Sequence, residues 1–196
     1  MPTISHETIR NDQVESSLGW FAIYVQSRQE RVVASSLINK GFETCLPLTT
    51  RLRQWSDRCK HIEEPVFPGY LFCKFDPNLR TPILRTAGVV QILGAGRQVI
   101  PLEPEEIDSV RALERAKVPV ESCPYVNKGE LAYMNKGERV YIMDGPLQGL
   151  SGIIANYKNS LRVIVSVALL QRSVAVEVNT SQIRPIESAG SAHIAC

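Results

Sequence analysis

Val66–Asp76 reads VFPGYLFCKFD, and the fold turns on it. It opens with a Pro68-Gly69 turn and runs into a strand. Alternation puts Leu71, Cys73 and Phe75 on one face, and Tyr70, Phe72 and Lys74 on the other. A sheet covered by helices on one side has room for one apolar face against them. If Leu71, Cys73 and Phe75 pack there, Tyr70 and Phe72 point the other way. They then join Trp20, Phe21, Tyr24 and Phe67 in an aromatic cluster. The residues alone leave two readings open. The cluster is a patch for a partner, or it is core under a second covering layer.

The flanking segments supply the rest of such a layer. Trp20–Val25 (WFAIYV) is aromatic and β-branched, which predicts a strand. Ser27–Lys40 carries Val33, Ala34, Leu37 and Ile38 at helical spacing. Ser27 and Glu30 have the spacing of a capping box, and Gly41 supplies a helix stop. Phe42–Leu48 reads as a second strand, Arg51–Glu64 as a long exposed hairpin, and Pro77–Thr86 as a short helix or turn. Val89–Leu93 and Gln98–Ile100 read as short strands. Pro104–Ala116 reads as a second long helix, with Glu105 and Glu106 in its first turn. The expected fold is α+β: an antiparallel sheet with helices on one side.

Lys117–Asn135 mixes proline, glycine and polar residues without periodicity and reads as a linker. Beyond it the pattern is strands only: Arg139–Met143, Leu150–Tyr157, Leu161–Val167 and Ser173–Val178. Short strands at this density predict a small all-β barrel. The expected organisation is a disordered leader at 1–18, an α+β domain at 19–116 and a linker at 117–135. A barrel follows at 136–187, with a frayed tail at 188–196.

Of the 196 residues, 44% are hydrophobic and 21% charged, with a net charge of +2. These are globular values, and they exclude a chain coated uniformly with basic residues. Cysteines stand at 45, 59, 73, 123 and 196, an odd count with no CxxC pair. That argues against a disulfide scaffold or zinc ribbon and for a reducing compartment. The leader lacks the apolar core of a secretory signal, and the longest strongly apolar run, Val163–Leu170, is too short to span a bilayer. A cytoplasmic protein is expected.

Catalysis needs a nucleophile with a base, a metal cluster or a phosphate cradle. His6, His61 and His193 lie apart, with no cysteine or carboxylate at metal-ligand spacing, and Gly94-Ala95-Gly96 is too short for a dinucleotide fingerprint. The expectation is a binding protein, not an enzyme, with no cofactor and no metal. Residues 51–61 hold Arg51, Arg53, Arg58 and Lys60 against Asp57, and Arg28 and Arg31 open the first helix. Such clusters attract phosphate.

The segment GWFAIYVQSRQERVVASSLINKGFETCLPL, then EEPVFPGYLFCKFD, then RTAGVVQILG, resembles the NusG N-terminal domain. KGERVYIMDGPLQGLSGIIANY and VSVALLQRSVAVEVNTSQIRPI resemble a KOW motif and the end of its barrel. Within the family the chain looks most like the specialised RfaH-like or UpxY-like antiterminators, and VFPGYLFCKFDPN carries that likeness. The resemblance implies that Trp20, Tyr24, Phe67, Tyr70, Phe72 and Ile92 form a depression for the clamp helices of RNA polymerase. It implies that Arg28, Arg31, Arg85 and Thr86 lie towards upstream or non-template DNA. It implies that Leu147, Leu169, Leu170 and Arg172 meet a KOW partner, either ribosomal protein NusE or Rho. The expected protein is a monomer that suppresses pausing or termination without covalent chemistry. The alternatives are housekeeping NusG working with Rho and a ribosome- or RNA-binding KOW protein. RfaH can refold its C-terminal domain into a helical hairpin. Here Val163, Ile164, Val165 and Val167 favour strand, so a constitutive barrel swinging on its linker is expected.

Overall fold

The computed structural model describes residues 18–54, 59–96, 98–123, 138–157 and 160–186. Almost all of the expected leader, all of the expected tail and most of the expected linker lie outside the described residues. The chain divides into two compact units, Met1–Pro47 with Phe67–Glu103, and Leu48–Val66 with Pro104–Cys196.

The first unit is built on β1 (Gly19–Val25), β2 (Glu43–Cys45), β5 (Tyr70–Phe75) and β6 (Val89–Ile92). These form an antiparallel sheet of four strands in the order β2-β5-β1-β6. The alternation expected of β5 holds. Leu71, Cys73 and Phe75 join Phe21, Ile23 and Val25 of β1 in one buried cluster. Val33, Ala34 and Leu37 of α1 (Glu30–Asn39) cover that cluster, together with Ile83 of the short α2 (Thr81–Leu84). Helix α1 stops where its sequence predicts. Gly41 takes φ +88°, its N–H bonds to the Ile38 carbonyl, and the Phe42 N–H bonds to the Leu37 carbonyl. This is a Schellman ending, which needs a left-handed residue at that position. The start differs, because no side chain caps α1, and Glu30 is engaged elsewhere.

A second difference concerns the long helix. From the sequence, Pro104–Ala116 is expected to pack on the N-terminal sheet. That helix, α3, belongs to the second unit and packs on the strands Ser151–Tyr157 and Ser160–Val167. Its buried stripe includes two polar residues, Glu106 and Ser109. Ser109 Oγ accepts from the Ser151 N–H at 3.1 Å and lies 3.1 Å from the Ser151 carbonyl. The Glu106 carboxylate accepts from the Ala168 N–H at 3.0 Å. Periodicity reveals that a helix has a buried stripe; it does not reveal which sheet the stripe meets.

The second unit carries a hairpin, β3 (Leu48–Gln54) with β4 (Cys59–Pro65). Its main sheet has six antiparallel strands in the order β14-β10-β11-β12-β13-β9. These are β9 (Val120–Cys123), β10 (Arg139–Ile142), β11 (Ser151–Tyr157), β12 (Ser160–Val167), β13 (Arg172–Glu177) and β14 (Ile183–Pro185). Strand rather than helix is therefore the form of Leu161–Val167, as its β-branched residues predict. Strand β9 lies inside the expected linker. It pairs with β13, and its Val120 N–H donates to Thr49 Oγ1 at 3.1 Å. Four residues reading VESC carry no apolar alternation, so the segment looked like connection.

Gly152 holds β11 close to β12. A Cβ there would stand 2.5 Å from both the Ile164 carbonyl oxygen and Val163 Cγ1. Gly152→Ala is expected to destabilise the second unit by about 1–3 kcal/mol, the usual cost of overpacking. Urea unfolding checks this against the wild-type chain.

A candidate aromatic interface

The face of the first sheet away from α1 follows from its register. Tyr24 stands opposite Tyr70, Ala22 opposite Phe72, and Trp20 opposite Lys74. Directly opposed residues of an antiparallel pair share a face. On the outer strand Cys45 continues the Phe72 row and Glu43 the Lys74 row. The middle row of Cys45, Phe72 and Ala22 is sealed, and Phe67 packs edge-on to Phe72 with ring centroids 5.8 Å apart. At one end Tyr24 and Tyr70 lie ring against ring at 5.3 Å. Tyr24 is 38% exposed, and Tyr70 and Trp20 are half-buried. The face is thus an aromatic floor with its tyrosine end open.

The turn before β5 sets that end. The Tyr70 N–H bonds to the Phe67 carbonyl at 3.0 Å, and Gly69 takes φ +84°. Pro68 then Gly69 at the centre is the signature of a type II turn. Three contacts hold the glycine. Its carbonyl accepts from the Val25 N–H at 2.9 Å. Its N–H donates to Glu30 Oε1 at 2.8 Å. A Cβ on it would come within 3.3 Å of the Tyr24 ring. Glu30 is 6% exposed, and its charge also lies in the first turn of α1, where the helix dipole favours an anion. The spacing that suggested a capping box in fact sends this carboxylate across to the turn.

Several residues named from the sequence fall elsewhere. Phe67 and Phe72 are in the aromatic cluster but sealed, so a partner would meet the tyrosines and Trp20 first. Ile92 stands opposite Ile23 and packs against the helix-side cluster, so it lies on the other face of the sheet. Gln91, opposite Tyr24, is the β6 residue on the aromatic face. Thr86 is 4% exposed. Its hydroxyl donates to the Pro82 carbonyl at 3.0 Å and accepts from Lys40 Nζ at 2.7 Å, so it ties α1 to α2 and is not offered to DNA. Arg28, Arg31 and Arg85 are exposed. Arg28 holds the left-handed φ of +64°. The Gln26 N–H bonds to the Gly88 carbonyl at 2.9 Å, joining the segments that carry Arg28 and Arg85.

In the second unit Leu147 and Leu170 are buried, which makes them core and not partner-facing. Leu169 is half-buried and Arg172 exposed. Leucines in turns between strands read equally as contact or core until packing is known. Among the described residues no group of three or more His, Cys, Asp or Glu side chains is placed to hold a metal ion. No described helix is long and apolar enough to cross a membrane.

Residues 18–111 match the family model described as NusG, transcription termination factor nusG. The chain is 26% identical over 186 residues to a transcription termination/antitermination protein NusG of Thermus thermophilus, covering 85% of this chain and 98% of that protein. It is 23% identical over 191 residues to the protein of the same description from Deinococcus radiodurans, with the same coverage. A solved structure titled "Domain interaction in Thermotoga maritima NusG" shares 20% identity at a TM-score of 0.48, covering 88% of this chain and 99% of that one.

Two outcomes follow from this geometry. Glu30→Ala leaves the Gly69 N–H without its acceptor and is expected to cost about 1–3 kcal/mol in urea unfolding, whereas Glu30→Gln keeps an acceptor and costs less. Burial, with Glu43 adding to it, pushes the Cys73 thiol from 9.0 up to about 12. The folded state therefore holds the neutral thiol where the unfolded chain has ionised. This contribution is complete below pH 9 and is lost as pH rises towards 12. Wild type should lose more stability over that range than Cys73→Val, measured by unfolding at stepped pH.

Proposed function

We propose that this chain, whose residues 18–111 match the NusG family model, is a transcription elongation and antitermination factor of that family which docks on RNA polymerase through its aromatic face. The observation that carries the reading is the Tyr24–Tyr70 ring pair, open at the end of a sealed aromatic floor. Aromatic side chains on a rigid sheet lose little freedom on binding and are the usual energetic centres of protein interfaces. Tyr24, Tyr70 and Trp20 would meet an apolar helical surface of the polymerase, the clamp helices. Phe67 and Phe72 would support them from beneath. The factor would act by binding the moving form of the polymerase more tightly than the paused form. Only such a difference in affinity shifts the balance between the two. Arg28, Arg31 and Arg85 would steady nearby DNA by phosphate contact.

The C-terminal sheet would recruit a second partner, NusE or Rho, through the half-buried Leu169 and the exposed Arg172. The specialised, RfaH-like role is the finer reading. It rests on the VFPGYLFCKFDPN likeness, and housekeeping NusG is its alternative.

Tyr24→Ala/Tyr70→Ala tests the reading. The double variant should keep its far-ultraviolet circular dichroism and lose at least tenfold in affinity for purified RNA polymerase, since truncating one interface centre typically costs about 2 kcal/mol or more. Undiminished capture by the folded variant contradicts it.

A further inference from the structure

At the end away from the tyrosines, the aromatic face closes on a charged row. The register sets Trp20 of β1 beside Lys74 of β5, and Lys74 beside Glu43 of β2. Strand β2 is the edge of the sheet, so Lys74 lies between the indole and the acid. Lys74 Nζ stands 3.8 Å from Glu43 Oε2. That is an ion pair with no hydrogen bond across it. The two side chains are 39% and 50% exposed, so water solvates both. An exposed pair of this kind adds little to stability.

Trp20 and Tyr24 are four residues apart on β1, about 13 Å at roughly 3.3 Å per residue. The row between them gives a partner nothing to grip, because Cys45, Phe72 and Ala22 are sealed. A stable interface takes roughly 800 Å² from each side, a patch about 30 Å across. A partner seated on the tyrosines at that size also covers the Lys74–Glu43 row. Covering strips water from both charges. A charge that loses its water costs affinity unless the partner supplies a matching one. Glu43 stands on the edge strand, at the rim of the patch, where water still reaches. Lys74 stands next to a ring and has to be matched.

We infer that Lys74 fixes which end of the polymerase helix lies over Trp20, by meeting a carboxylate on that helix beside the residue packed on the indole. This assignment rests on the polymerase reading and deepens it by stating the chemistry of the partner. On a helix rising 1.5 Å per residue, the carboxylate stands about nine residues from the apolar residue on Tyr24 and Tyr70. A helix laid the other way round leaves the Lys74 charge covered and unmatched, which costs affinity.

The test uses the full chain and purified RNA polymerase. Carbodiimide joins an amine to a carboxylate in contact with it. In the free chain it should join Lys74 to Glu43. In the complex it should join Lys74 to an acidic residue of the polymerase, read by mass spectrometry. Glu43→Lys/Lys74→Glu keeps an opposite-charge pair between β2 and β5 and reverses its sign. It should melt with the wild type and bind the polymerase at least tenfold more weakly at about 50 mM salt, a deficit that shrinks at about 500 mM as the charges are screened. Glu43→Gln/Lys74→Gln should fall between the two. A pair that only ties β2 to β5 predicts equal binding by the wild type and the reversed chain. The cross-link is read on the wild-type chain, so it decides even where the reversed chain folds poorly. Tyr24→Ala/Tyr70→Ala separates the two levels of the claim. If that variant binds undiminished, the polymerase reading and this inference fall together. If it loses affinity while the reversed chain binds as wild type does, or if Lys74 couples to Glu43 alone in the complex, the inference falls and the polymerase reading stands.

Discussion

One part-buried hydrogen bond ties helix α1 to the turn at the open end of the candidate interface: the Glu30 carboxylate accepting from the Gly69 N–H. It connects the first turn of α1 to the turn that launches β5. Removing it would leave a buried carboxylate and a backbone donor both without partners, which is the costly way to lose a hydrogen bond. The consequence runs outward. Gly69 is held against Tyr24, and Tyr24 is held against Tyr70. The phase of β5 then puts Phe75, Cys73 and Leu71 under the helix and leaves the tyrosines on the opposite side.

Much of the first unit was legible because its signals are local. Pro68-Gly69 specifies a type II turn by its own backbone preferences, and Gly41 ends α1 for the same kind of reason. Alternation in Tyr70–Phe75 assigns faces correctly, since period two is a property of the strand itself. Of the aromatic cluster expected from the sequence, Phe21 packs instead on the helix side against Phe75, and the division among the remaining rings was not legible. Phe72 is sealed while Tyr70 is only half-buried, although both lie on one face. That difference depends on Cys45 and Ala22 flanking Phe72 and on Phe67 closing over it, all contacts between distant segments.

Readings that failed share one cause: each placed a side chain or a segment without the distant segment that it meets in the fold. Glu30 was paired with Ser27 three positions away and instead bonds across thirty-nine. Ile92 was grouped with the tyrosines, but the pairing of β6 with β1 puts it opposite Ile23. Thr86 looked available for DNA until Lys40 and Pro82 occupied its hydroxyl. Helix α3 was legible as an amphipathic helix, while its place in the second unit rests on Glu106 and Ser109 finding backbone partners at Ala168 and Ser151. Strand β9 was invisible because its pairing with β13, and not its own composition, makes it a strand.

The proposed polymerase-binding role stands on which rings are open. Hydroxyl-radical footprinting with and without purified RNA polymerase reads this residue by residue. Oxidation of Tyr24, Tyr70 and Trp20 should fall when the polymerase is added, while Phe67 and Phe72 should react little in either state. Protection confined to other side chains, with the three rings as reactive in the complex as in the free chain, would contradict the account.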